Sequence, residues 1–139
     1  MSQHEFKLET SGQGLYEFTR AVCTWVAQSG VSAGVLTLFV RHTSCSLLVQ
    51  ENADPEVRAD LLAYFSRLVP PSSDPSMAYL RHTYEGPDDM PAHIRAAMMP
   101  VSLSIPISQG QPVLGTWQGI YLFEHRDAPH HRRVFAHLG

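Results

Sequence analysis

Between His82 and His93 the chain carries two histidines and three carboxylates, Glu85, Asp88 and Asp89, in twelve residues folded by Gly86-Pro87 and Pro91. Neutral imidazole and carboxylate are zinc ligands, with water or substrate completing the shell. The spacing of the two histidines matches no standard metalloprotease or zinc-finger pattern. A surface loop in which Asp88 or Asp89 caps the next helix would use the same residues. A second polar run, Arg41-His42-Thr43-Ser44-Cys45-Ser46, interrupts an apolar strand. Backbone N–H groups, hydroxyls and an imidazole grouped in this way suit an anion such as phosphate. A strand end with Ser/Thr turn chemistry is the plainer alternative.

Two further stretches are more polar than structure alone requires. In Glu51-Asn52-Ala53-Asp54, Asp54 has a sufficient role as a helix cap, whereas Glu51 and Asn52 have none beyond a solvated turn. Gly115-Thr116-Trp117-Gln118-Gly119 reads as a tight hairpin where backbone approaches a ligand closely. It leads into Glu124-His125-Arg126. There Tyr121, Phe123 and His125 share one face of a strand, and Ile120, Leu122, Glu124 and Arg126 share the other. His130 and His131, after Pro129, are expected in a solvent-exposed turn. His4 and His137, near the termini, are assigned no role.

The elements that must position these residues follow from periodicity. His4–Thr10 alternates as a strand. Leu15, Phe18, Val22, Trp25 and Val26 predict a helix over 15–28 that stops at Gly30. Strands are expected at Gly34–Arg41 and Cys45–Gln50. Asp54 with Pro55 starts a helix whose stripe, Val57, Leu61, Leu62, Tyr64, Phe65 and Leu68, ends before Pro70-Pro71. Residues 70–78 form a loop, and a short helix runs from Pro91 to about Met99. Strands over 101–107, 113–117, 120–125 and 133–137 close the chain. Helices and strands do not alternate regularly, so an α+β fold with a mixed or antiparallel sheet is expected, as one domain over 1–139.

Composition narrows the function classes. The chain has 139 residues, 44% hydrophobic and 17% charged, as an ordinary globular domain does. A net charge of −3 argues against nucleic acid as a partner, since duplex-binding modules are strongly basic. No apolar run approaches the ~18 residues that would span a bilayer, and the opening residues lack a basic region followed by an apolar run, so a secretory signal is not expected. Two cysteines are too few for a disulfide framework, so a reducing, cytoplasmic compartment is the expectation.

Taken as an ordered set, these motifs resemble the YjbQ family, sometimes labelled secondary thiamine-phosphate synthases. The matching runs are His42-Thr43-Ser44 with Ser46-Leu47, Glu51-Asn52 with Asp54-Pro55, and His82 with Tyr84-Glu85-Gly86. They continue through Asp88-Asp89-Met90-Pro91 with His93, then Gly115–Gly119 and Glu124-His125-Arg126. The chain departs from the pattern at Cys45, where Ala is common, and at Thr83, where an acidic residue is frequent.

The resemblance implies a β-sandwich-like core flanked by helices, a homotrimer, and weak joining of hydroxymethylpyrimidine diphosphate to thiazole phosphate. On that basis a divalent metal is expected on His82, His93 and His125, zinc first, with magnesium the alternative for a diphosphate substrate. His42, Thr43, Ser44, Ser46, Asn52, Trp117 and Arg126 are expected to contact a small phosphorylated metabolite. Glu85, Asp88 and Glu124 are expected as general acid or base, or as support for the metal ligands. A non-catalytic protein that binds a small ligand or metal in the same pocket is the alternative.

Overall fold

A computed structural model of the chain describes residues 2–139. The strands are β1 (Ser2–Thr10), β2 (Gly14–Glu17), β3 (Gly34–Val40), β4 (Cys45–Glu51), β5 (Ser102–Ser108), β6 (Gln111–Pro112), β7 (Gln118–Glu124) and β8 (His130–Leu138). Five of them form one sheet in the order β1-β8-β3-β5-β6, and the other three form a second in the order β2-β7-β4. Every pairing is antiparallel, so of the two expected sheet types the antiparallel one is realised.

Strand alternation builds the core between the sheets. Leu36, Leu38 and Val40 of β3, Val134, Ala136 and Leu138 of β8, and Ile120 and Leu122 of β7 are all buried and form one cluster. Helix α1 (Thr19–Gln28) adds Val22 and Val26 to it. Burying an aliphatic side chain of this kind contributes about 1.5–3 kcal/mol.

Helix α2 (Pro55–Leu68) starts as the sequence predicts. The Asp54 carboxylate accepts the Glu56 N–H at 2.9 Å, and Pro55 occupies the first turn. The helix lies over the outer face of the three-stranded sheet. Phe65 meets Phe123 edge-on at 5.9 Å, and the Arg58 guanidinium sits 5.9 Å from the Tyr121 ring centre. Strand β7 is therefore buried on both faces. Neither face is the solvated side that simple alternation would suggest.

Three boundaries differ from the periodicity. Leu15 belongs to β2, paired with Phe123, and α1 begins only at Thr19. The helical spacing of Leu15 and Phe18 was coincidental with a strand partner 108 positions away. The strand expected at 113–117 is absent beyond Pro112. Instead the Gln118 side chain accepts the Gly115 N–H at 2.8 Å, and the Gln118 N–H reaches the Gly115 carbonyl at 3.1 Å, closing a turn. His130 and His131 open β8 rather than a free turn, because β1 pairs with β8 along its full length, up to Thr10↔His130. Among the described residues no helix is long and apolar enough to cross a membrane.

Candidate functional site

Helix α3 (Asp89–Met98) begins two residues earlier than the sequence suggested, and that shift creates the site. With Asp89 in the first turn, His93 stands one turn later on the same face. His82 arrives from the preceding loop, which Gly86 turns back at φ +101°. The ligand atoms of His82, Asp89 and His93 all lie within 4.8 Å of one another. Asp89 Oδ2 is 2.9 Å from His82 Nε2 and 3.2 Å from His93 Nε2. Glu85 Oε2 approaches the same His82 nitrogen at 2.8 Å.

The other ring nitrogen of His93 decides what its Nε2 can do. Nδ1 lies 2.9 Å from the Thr43 carbonyl, which only accepts, so Nδ1 carries a proton. In the neutral ring, Nε2 then presents a lone pair to the Asp89 carboxylate. Two acceptors at that separation repel unless a proton or a metal cation lies between them. A backbone carbonyl fixing the far nitrogen is also the usual support for a metal-ligating histidine.

Arg126 braces the cluster from the end of β7. Its Nε donates to Asp88 Oδ2 at 2.8 Å, Nη1 to Asp89 Oδ1 at 2.8 Å, and Nη2 to the Glu85 carbonyl at 3.2 Å. Asp88 also accepts the Asp127 N–H at 2.9 Å. Burial pushes the Asp88 carboxyl up, but the bonds from Arg126 and Asp127 outweigh it and hold it below its ordinary range. Asp88 makes no side-chain cap to α3; its oxygens serve Arg126 and Asp127 instead.

His125 does not reach this cluster. It is fully buried, with Nε2 2.9 Å from the Ser46 hydroxyl. Burial, with the nearby charge of Arg95, lowers its pKa to about 3, so the ring is neutral. The geometry thus puts Asp89 where the sequence suggested His125. Glu124 is equally enclosed. Its oxygens accept from Thr10 Oγ1 at 2.6 Å, Arg132 Nε at 2.7 Å and Arg132 Nη2, and from the backbone N–H groups of His125 and Arg126. Burial raises its pKa, but the Arg132 and Thr10 bonds prevail and hold it low. With no exposed oxygen, Glu124 is a structural ion-pair partner rather than the acid or base expected of it.

The run at 42–46 is also taken up largely by the fold. His42 Nε2 accepts the Arg133 N–H at 2.8 Å, the Ser44 hydroxyl accepts from Arg132 at 2.9 Å, and Ser46 faces His125. Thr43 contributes its carbonyl to His93 and keeps an exposed side chain. Asn52 and Trp117 lie at the opposite end of the β4–β7 pair. The register runs from Cys45↔Glu124 at one end to Glu51↔Gln118 at the other, a separation of roughly 20 Å at ~3.3 Å per residue. There Asn52 Nδ2 donates to Glu17 at 3.1 Å, and Trp117 is 64% exposed. Two residues of these networks were missed, one in the open cluster and one in the closed ion pair. Asp89 was hidden by the late helix start, although its spacing of four from His93 was a legible signal. Arg132 gave none, because only β8 pairing carries it to Glu124.

Together these features define a small antiparallel α+β sandwich with a two-histidine, one-carboxylate cluster at the start of its last helix. The family model for UPF0047 protein YjbQ-like matches residues 4–139, and the chain belongs to that family. It is 50% identical over 131 residues to a UPF0047 protein of Synechocystis, covering 94% of this chain and 86% of that protein. It is 39% identical to UPF0047 protein YjbQ of Escherichia coli O157:H7, over 98% of this chain and 96% of that one. A YjbQ/UPF0047 crystal structure from Clostridium acetobutylicum superposes with a TM-score of 0.85 at 36% identity, covering 98% of this chain and 99% of that chain. The crystal structure of a hypothetical protein from Aeropyrum pernix K1 gives 0.88 at 26% identity, over 100% of this chain and 98% of that chain.

Proposed function

We propose that the protein is a metal-assisted enzyme acting on a small phosphorylated metabolite, with His82, Asp89 and His93 holding one divalent cation. The observation that supports this most is the convergence of three potential ligand atoms within 4.8 Å, with the far nitrogen of His93 tied to the Thr43 carbonyl. Two imidazoles and a carboxylate leave coordination positions open, the arrangement of catalytic zinc sites. Imidazole ligands favour zinc over magnesium, which takes oxygen donors. When bound, the cation would neutralise charge building on a departing diphosphate. Glu85, with 55% of its side chain exposed beside His82, is the carboxylate left free to move a proton or to supply a fourth ligand.

The resemblance of the sequence motifs suggests a finer reading, the joining of hydroxymethylpyrimidine diphosphate to thiazole phosphate in a homotrimer. Light scattering should then give three times the chain mass, and a monomer at micromolar concentration would end the trimer. For the metal, elemental analysis should find about one zinc-like ion per chain. His82→Ala, His93→Ala and Asp89→Asn should lower occupancy far more than His130→Ala or His131→Ala. Pyrophosphate release from the two phosphorylated substrates should stop on chelation. Metal-free protein that binds the phosphorylated ligand unchanged would overturn the metal-assisted enzyme in favour of a simple binding protein.

A further inference from the structure

We infer that Arg126 is a positioning residue: it selects which oxygen of Asp89 faces the two histidines and holds that oxygen in place for the cation. The inference rests on the metal reading above and adds a device to it. The Asp89 oxygens have different partners. Oδ1 is taken by Arg126 Nη1 at 2.8 Å, whereas Oδ2 faces His82 and His93. A free carboxylate can coordinate through one oxygen or both. With Oδ1 occupied by a guanidinium, Asp89 is restricted to one. Asp89 is 3% exposed, so water does not compete freely for either oxygen.

The guanidinium also sets the positions of the elements that deliver the other ligands. Its three engaged donors reach Asp88, Asp89 and the Glu85 carbonyl, which joins the loop carrying His82 and Glu85 to the first turn of α3. A planar fork can meet three acceptors in fixed directions, which the point charge of a lysine cannot do. Arg126 is itself held from behind. Its backbone N–H donates to the buried Glu124 at 3.2 Å, and the next N–H, of Asp127, donates to Asp88. The closed network inside the sandwich thus fixes the backbone from which the open cluster is braced. Direct phosphate contact, the role expected from sequence, makes a different demand. It would alter substrate affinity while leaving the metal untouched.

The test compares the full-length wild type with Arg126→Met, Arg126→Lys and Asp88→Asn, using cobalt(II) and zinc as probes. Affinity is read by competition with a chromogenic chelator, and coordination by the visible absorption of the cobalt form. Wild type should bind one ion. Arg126→Met should bind it about 10–100-fold more weakly. Its cobalt bands should lose intensity as the freed Asp89 Oδ1 joins the shell, a change that a loss of stability alone would not produce. Arg126→Lys should regain part of the affinity but not the wild-type spectrum. Wild-type affinity and spectrum in Arg126→Met, with a changed KM for phosphorylated substrate, would overturn the inference and restore the phosphate role. Wild type that binds neither ion would sink the metal reading itself. If Arg126→Met does not fold, unchanged spectra in both Arg126→Lys and Asp88→Asn overturn the inference.

Discussion

Two carboxylate–arginine networks meet at the end of β7, and they differ in what surrounds them. Glu124 and Arg132 lie on the core side, both essentially inaccessible, with the carboxylate oxygens engaged by Arg132, Thr10 and two backbone N–H groups. Two residues on, Arg126 is part-exposed and binds Asp88 and Asp89, whose neighbours His82 and His93 keep an edge in solvent. The first network is complete: nothing further can enter it. The second brings imidazole and carboxylate ligand atoms together at an edge that solvent reaches. A buried pair whose partners are all internal is suited to holding a fold. A half-open group with converging lone pairs is suited to binding something.

Breaking the closed network should have the largest effect. Glu124→Ala leaves Arg132 as an uncompensated buried charge, which costs about 3–5 kcal/mol. Urea unfolding should show that loss, and a cost below about 1 kcal/mol would contradict the contrast. Arg126→Met, at the open network, should cost less, about 1–3 kcal/mol, since Arg126 and Asp88 are part-exposed while the enclosed Asp89 keeps His82 beside it. Its consequence should appear in metal binding instead.

Acid sharpens the same contrast. His125 has a folded pKa near 3 against the ordinary 6.5 of histidine, so below 6.5 the unfolded chain takes a proton that the folded chain refuses. Stability should therefore fall as pH drops from 6.5 toward 3, by roughly 1.4 kcal/mol per pH unit from this group. Glu124 adds a loss at the lower end. Its folded pKa is depressed below 4.5, so the stability it contributes is present above that pH and disappears as pH falls through the folded value. Denaturant titrations from pH 7 to pH 4 test the histidine. The double variant Ser46→Ala/His125→Leu should flatten the slope, and an unchanged slope would assign it elsewhere.

The smallest effect is expected at Cys45, beside Ser44 in the chain. It is fully buried in the core cluster, and burial pushes its thiol up to about 12. A thiol of that kind is no nucleophile at neutral pH. Cys45→Ala should cost about 1 kcal/mol for the small void and leave activity nearly intact. A tenfold loss of activity would give the thiol a chemical role.

Local patterns in the chain were enough for most of the elements: the Asp54-Pro55 helix start, the β3 alternation, the extent of α2, and the ligand-rich block from His82 to His93. Each depends on residues within a few turns or one strand of one another. They were enough as well for the α+β class, since the elements do not alternate as βαβ units, but left a mixed or an antiparallel sheet open. Only the tertiary structure decided which polar groups serve the fold and which remain available. His125 and Glu124 were expected as site residues from the motif resemblance, but α2 covers one face of β7 and β8 brings Arg132 to the other. Asn52 and Trp117 read as neighbours of His42, yet the β4–β7 register places them at the far end of the sheet. Pairings between distant segments set these outcomes, and a strand's local sequence does not encode its partner. Asp89 is the intermediate case. Its spacing from His93 was written in the chain, but it gained meaning only once α3 began at Asp89 and Arg126 claimed its other oxygen.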